Sequence, residues 1–165
     1  MKTMETLHAP AVRNGRTPIN CLFAVLAMGV VASTPVIAGD LEPGRYAIES
    51  ATHAGKFLRG LPEQGNKVVS AANPQATVFQ VVGDQKTDNY TLQSHVFFVS
   101  VEGAHDVVMH KAKGAREQFK ITKNPDGTFS FKAVWCGKFI AVDKDGNVDT
   151  ASAIGDGSKF KVYKK

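Results

Sequence analysis

The sequence predicts an all-β fold in which three repeats of about 40 residues, each of four short strands, close into a barrel with threefold pseudosymmetry. Three recurring markers carry that expectation. Phe57, Phe98 and Phe139 stand 41 residues apart at both steps. An aromatic followed two places later by a branched aliphatic returns as Phe79-Gln80-Val81, Phe119-Lys120-Ile121 and Phe160-Lys161-Val162, at steps of 40 and 41. Each copy opens on a third marker, Tyr46-Ala47-Ile48, Tyr90-Thr91-Leu92 and Phe129-Ser130-Phe131. The order of the markers is the same in every copy. Twelve short strands must hide their edges, and three four-stranded units are too few for a propeller, so closure into one barrel meets the constraint.

The elements follow in order. In Arg45-Tyr46-Ala47-Ile48-Glu49-Ser50, Tyr46 and Ile48 alternate with their neighbours as a half-buried strand requires. Gly55 admits a turn before Lys56-Phe57-Leu58, and Gly65-Asn66 turns the chain into Lys67-Val68-Val69-Ser70-Ala71, which makes a hairpin. Asn73-Pro74 ends it, and Val78-Phe79-Gln80-Val81-Val82 is the fourth strand. The second copy repeats this through Tyr90-Thr91-Leu92, Phe97-Phe98-Val99, Asp106-Val107-Val108-Met109 and Phe119-Lys120-Ile121, and Asn124-Pro125-Asp126-Gly127 closes it. The third runs through Phe129-Ser130-Phe131, Lys138-Phe139-Ile140-Ala141-Val142, the tight Asp145-Gly146 turn, Asn147-Val148-Asp149-Thr150-Ala151 and Phe160-Lys161-Val162. The repeats span about 44–87, 88–127 and 128–165. Each copy is expected to send its opening aromatic, its central phenylalanine and its fourth-strand aromatic into a shared interior.

Residues 1–38 have the pattern of a secretory signal peptide. Lys2, Arg13 and Arg16 form a basic start, and the apolar run from Cys21 to Ala32 holds 12 residues, where a spanning helix needs about 20. Pro35 follows, and Val36 and Ala38 suit a cut before Gly39. Cys21 precedes the apolar run, which disfavours a lipoprotein anchor. Removing 38 of 165 residues leaves 127, one domain (39–165) with no membrane span, expected to be secreted or periplasmic and monomeric. Its 17 basic and 14 acidic side chains give a net charge of +3, too weak a field to point to nucleic acid. Cys136 has no partner for an intramolecular disulfide and is expected to be a buried hydrophobe.

The succession aromatic-x-Leu-x-Ser, Gly-Lys-aromatic-Leu/Ile, a glycine turn with Val and Ala, and Glu-Gln-Phe-x-Ile resembles the fascin-like (actin-cross-linking-like) β-trefoil family across the whole of 39–165. The resemblance implies a β-trefoil, a scaffold that hosts lectins, inhibitors and growth-factor-like proteins. Bundling fascins join several trefoils, whereas a lone module behind an export signal suits a soluble binding protein. Ricin-type trefoil lectins brace each sugar pocket with Gln-x-Trp. Here Trp135 stands alone without that motif, which disfavours a ricin-like galactose site.

No catalytic pattern emerges, and the expected protein is not an enzyme and needs no cofactor. Gly-x-Ser-x-Gly and the phosphate-binding loop are absent. Asp143-Lys144-Asp145-Gly146-Asn147 resembles a calcium loop, but its glycine is fourth rather than sixth and Ile154 replaces the twelfth-position glutamate. His53, His95, His105 and His110 lack zinc spacing, so no metal is expected. Asn89-Tyr90-Thr91 matches the N-glycosylation acceptor, which matters only if the host glycosylates.

Charge supplies the candidate site. Lys111, Lys113, Arg116, Lys120 and Lys123 against Glu117 give a local net charge of +4 in 13 residues. Lys120 and Lys161 hold the same repeat position and are expected to point outward. The six cations form the candidate binding patch, for a carbohydrate or polyanionic glycan at a surface. The alternative is a protein-binding module, protease-inhibitor-like or taking a host-protein or actin-type ligand.

Overall fold

The computed structural model describes residues 41–73, 75–84, 87–103 and 105–165. The expected signal peptide lies outside the described residues. Among these, no helix is long and apolar enough to cross a membrane. The first copy comprises β1 (Gly44–Ser50), β2 (Lys56–Leu61), β3 (Lys67–Ala72) and β4 (Phe79–Asp84). The second holds β5 (Asn89–Ser94), β6 (Phe97–Glu102), β7 (Asp106–His110) and β8 (Phe119–Lys123). The third holds β9 (Phe129–Ala133), β10 (Phe139–Val142), β11 (Val148–Ala151) and β12 (Phe160–Lys164), with one short 3-10 turn at Asp156–Ser158.

Six strands close a ring. β1 pairs with β4, β4 with β5, β5 with β8, β8 with β9, β9 with β12, and β12 returns to β1, all antiparallel. Closure leaves the ring no free edge. The other strands form three hairpins, β2–β3, β6–β7 and β10–β11. The hairpins hold one another: β3 pairs with β7, the Met109 amide donates to the Asn66 carbonyl at 2.5 Å, and the Ser70 hydroxyl donates to the Gly146 carbonyl.

The core is built of equivalent residues from the three copies. Phe79, Phe119 and Phe160 are sealed from solvent, as are Leu58, Val99 and Ile140, and Ile48, Leu92 and Phe131. Each such side chain contributes about 1.5–3 kcal/mol by leaving water. Tyr46, Tyr90 and Phe129 join the same cluster, as the alternation of the opening strands predicts.

The central phenylalanines require a correction. Phe57, Phe98 and Phe139 are register equivalents, paired with Glu49, Gln93 and Lys132. They stand outside the central cluster all the same, and Phe98 is only half-buried. Strand side chains alternate between faces, so the next residue in each copy, Leu58, Val99 or Ile140, takes the inward place. Phe57 instead lies 6.0 Å from the Tyr163 ring, and Phe139 lies under the Lys132 ammonium at 5.5 Å.

The pseudosymmetry breaks at one core position. Gly60 occupies the place that Val101 and Val142 hold in the other copies, two residues after Leu58, Val99 and Ile140. Met109 of the second copy fills the space, its Sδ only 2.9 Å from where a Gly60 Cβ would stand. The register counterparts of Met109 are the smaller Ser70 and Thr150, opposite Leu58 and Ile140 as Met109 is opposite Val99. Bulk lost on one strand is supplied from the neighbouring copy.

Candidate ligand-binding site

Each copy meets the next where the segment before its fourth strand approaches the first turn of its neighbour. Between copies two and three, the Val134 amide donates to the Gln118 carbonyl at 2.9 Å. The Trp135 indole N–H reaches the Val101 carbonyl at 2.8 Å, and the Arg116 guanidinium lies 5.2 Å from the indole ring. Between copies three and one, the Ala51 amide donates to the Lys159 carbonyl at 2.9 Å. Within copy three, Gly157 presses against the Val142 carbonyl, with 2.6 Å left for a Cβ.

The junction between copies one and two has no such tie among the described residues. The paired positions Glu49 and Phe57, Gln93 and Phe98, and Lys132 and Phe139 are eight, five and seven residues apart, so the turn of copy two is the shortest. Only His95 and Val96 separate β5 from β6. Among the described residues, no amide of this turn reaches the Val78 carbonyl, the counterpart of Gln118 and Lys159. His95 takes a left-handed backbone, φ 53, where the longer turns use Gly55 and Gly137 at 78 and 72. For a residue with a Cβ that conformation costs about 1–2 kcal/mol.

The shortened turn leaves a cleft of about 550 Å³, within the roughly 300–1,000 Å³ of small-molecule sites. Arg45, Glu63, Ser94 and Phe97 line it, with Gly60 and the buried Met109 at its base. A smaller hollow of about 260 Å³ shares Arg45, Ser94 and His95 and adds Gln80 and Gln93, which face each other across β4 and β5. One end of the groove is therefore aromatic and sulfur-lined, and the other carries amides and a guanidinium. Arg45 is exposed, and its guanidinium has no hydrogen-bond or ion-pair partner among the described residues. The sequence markers gave no sign of this cleft, because its lining comes from positions where the copies differ.

No protein-family model matches the chain, and no curated protein sequence matches it. Solved structures do. A Polyporus squamosus lectin bound to the epitope Neu5Aca2-6Galb1-4GlcNAc superposes with a TM-score of 0.66 at 16% identity over 76% of this chain and 50% of that one. The designed threefold-symmetric protein ThreeFoil gives 0.61 at 20% identity over 72% of this chain and 97% of its own. SeviL bound to asialo-GM1 saccharide gives 0.63 at 12% over 74% and 98%. The fold is a β-trefoil. The chain spans half the length of the Polyporus lectin and 18% of a mosquitocidal holotoxin that also matches.

The β-trefoil distributes the six sequence-predicted cations over different elements. Lys111, Lys113 and Arg116 sit on the exposed β7–β8 connection, and Lys120 and Lys123 lie on β8. Lys161 lies on β12, which β9 separates from β8 in the ring. Across β8 and β9, Lys120 stands opposite Lys132. Its ammonium donates to the Thr87 and Asp88 carbonyls at 2.5 and 2.9 Å and lies 3.7 Å from the Asp88 carboxylate. Lys111 lies 5.7 Å over the Phe97 ring, at the edge of the cleft. Lys161 stands opposite Glu49. Burial alone would raise the Glu49 carboxyl, but the Tyr163 hydroxyl at 2.5 Å, the Gly55 amide at 2.6 Å and the Lys161 charge hold it below its usual range. The same bond pushes the Tyr163 phenol up.

The remaining constellations serve the fold. Asp143 accepts the Asp145 and Asn147 amides at 2.9 and 2.8 Å, the geometry of a hairpin turn. The Asn147 amide in particular lowers its carboxyl. His105 faces Asp149 at 3.2 Å, and His110 lies 3.8 Å from Glu117. Among the described residues, no three His, Cys, Asp or Glu gather as a metal site would require. In the Asn89-Tyr90-Thr91 triplet, Asn89 donates to Gln118 at 2.8 Å and Thr91 is buried. Cys136 is half-buried against the core.

Proposed function

We propose that the chain is a secreted, non-catalytic glycan-binding module, akin to a lone fascin-like trefoil. The observation that carries the reading is the mixed aromatic and polar cleft, open on a scaffold shared with saccharide-bound lectins. Saccharides offer an apolar ring face and many hydroxyls, and such a lining matches both. Lys111 brings a positive charge over Phe97 at the cleft edge, and the exposed Lys113, Arg116 and Lys123, with Lys120 and Lys161 as outlying members, make up the rest of the candidate positive surface. That surface favours sulfated or otherwise anionic glycans.

A glycan array carrying neutral, sialylated and sulfated saccharides tests the reading. Binding to a saccharide class supports it; silence across the array, with a protein recovered from extract instead, replaces it with the protein-ligand alternative. Export is tested separately. N-terminal sequencing of the exported protein is expected to begin within a few residues of Gly39, and retention of Met1 would refute the leader.

A further inference from the structure

We infer that the module has one saccharide site rather than three, in the cleft between copies one and two, and that the saccharide it takes is acidic. The inference rests on the glycan-binding reading and adds a stoichiometry and the group, Arg45, that reads the charge. A threefold scaffold offers three equivalent junctions, and at two of them the turn is tied across to its neighbour: Val134 and Trp135 bond to Gln118 and Val101 at one, and Ala51 bonds to Lys159 at the other. The third is open because copy two has the shortest turn, and its floor is Gly60 with Met109 packed into the space that valine fills in the other copies. A ligand that needs an open turn junction therefore finds one per chain, apart from the hollow of about 410 Å³ among the three hairpins.

The charge follows from what lines the opening. Arg45 presents an exposed guanidinium with no partner among the described residues, shared by the cleft and the adjoining hollow. A guanidinium pairs with a planar carboxylate through two parallel hydrogen bonds. Lys111 adds a second positive charge over Phe97, and Glu63 is the acidic group lining the cleft. Glu63 is placed to accept sugar hydroxyls, Phe97 offers an apolar face to a sugar ring above the buried Met109, and the Gln80 and Gln93 amides continue the polar contacts outward.

The test uses 3′-sialyllactose, lactose and a heparin-derived tetrasaccharide against the 39–165 protein and its Arg45→Ala and Phe97→Ala variants. Calorimetry supplies stoichiometry, and amide NMR shifts supply location. Sialyllactose is expected to bind one per chain, shifting Gly60, Thr77, Ser94 and His95, and to weaken about tenfold or more in Arg45→Ala. Arg45 is exposed, so its loss leaves the fold intact, and unchanged spectra away from the cleft verify this. Lactose should bind more weakly and be indifferent to Arg45. Three equivalents bound, equal affinity for lactose and sialyllactose, or shifts confined to residues 111–123 would each overturn the inference while the glycan reading stands. Failure of all three saccharides to bind wild type would overturn the inference, and silence across the glycan array as well would overturn both.

Discussion

Two junctions of the same scaffold have opposite fates. Between copies two and three, a seven-residue spacing from Lys132 to Phe139 carries Trp135 across the gap, where its indole meets Val101 and Arg116. Between copies one and two, a five-residue spacing from Gln93 to Phe98 brings nothing across, and a cleft stands there. The strands, register and core triplets around both are the same. What differs is turn length and two side chains, Gly60 and Met109, so a cleft can be opened without disturbing the barrel that supports it.

The largest expected effect comes from restoring symmetry at the base of the cleft. Met109→Thr, which copies the Thr150 position, should cost about 2–5 kcal/mol, the usual range for truncating a buried methionine. Gly60→Val alone should cost about 1–3 kcal/mol by overpacking against Met109. Together they should cost clearly less than the sum, because valine occupies the space that methionine vacates. Denaturant melts that show additivity within about 0.5 kcal/mol would mean that the two side chains do not compensate.

Removing the plug is next in size. Trp135→Ala loses a hydrogen bond and a cation–π contact at a half-exposed site, so a cost of about 1–3 kcal/mol is expected from thermal or chemical melts. A change below about 0.5 kcal/mol, typical of plain surface sites, would show that the indole does not brace the junction.

The hairpin phenylalanines should differ from one another in the same assay. Phe57→Ala is expected to cost about 2–3 kcal/mol and the half-buried Phe98→Ala about 1–2 kcal/mol, both below the roughly 3–5 kcal/mol of a fully buried Phe119→Ala. Equal costs for all three would contradict the observed exposure.

The smallest effect is a pH dependence at the β8–β9 turn. The hydroxyl and amide of Thr128 and the Lys159 ammonium hold the Asp126 carboxyl down to about 2. Its folded value lies below its unfolded one, so the stability it contributes is present above about pH 4 and is lost as pH falls toward 2. The stability gap between wild type and Asp126→Ala should therefore narrow through that window. A gap independent of pH from 5 to 2 would remove the carboxylate from the account.

Repetition made the fold legible. The opening aromatics, the fourth-strand Phe-x-Val/Ile and the turn glycines recur because three copies fill one core, and the ring pairings follow from that. Recurrence said less about facing: Phe57, Phe98 and Phe139 repeat as faithfully as Leu58, Val99 and Ile140, yet one strand step separates the periphery from the centre. The cleft was hidden for the converse reason. Gly60, Met109 and the His95-Val96 turn are departures from the repeat, and what a departure opens depends on neighbours some 50 residues away in sequence, such as Met109 from Gly60. The basic residues were legible as a cluster in sequence, but the placement of Lys161 opposite Glu49 and of Lys120 against Asp88 depends on strand pairing.

The most direct measurement of the central claim converts one junction into the other. Replacing His95-Val96 with the four residues Val134-Trp135-Cys136-Gly137 should carry an indole into the cleft while Ser94, Phe97 and the barrel stay in place. Sialyllactose titrations of the parent and the grafted protein are then compared. Binding in the parent and its loss in the graft, with core amide shifts unchanged, is the predicted result; a folded graft that binds as tightly as the parent would contradict it.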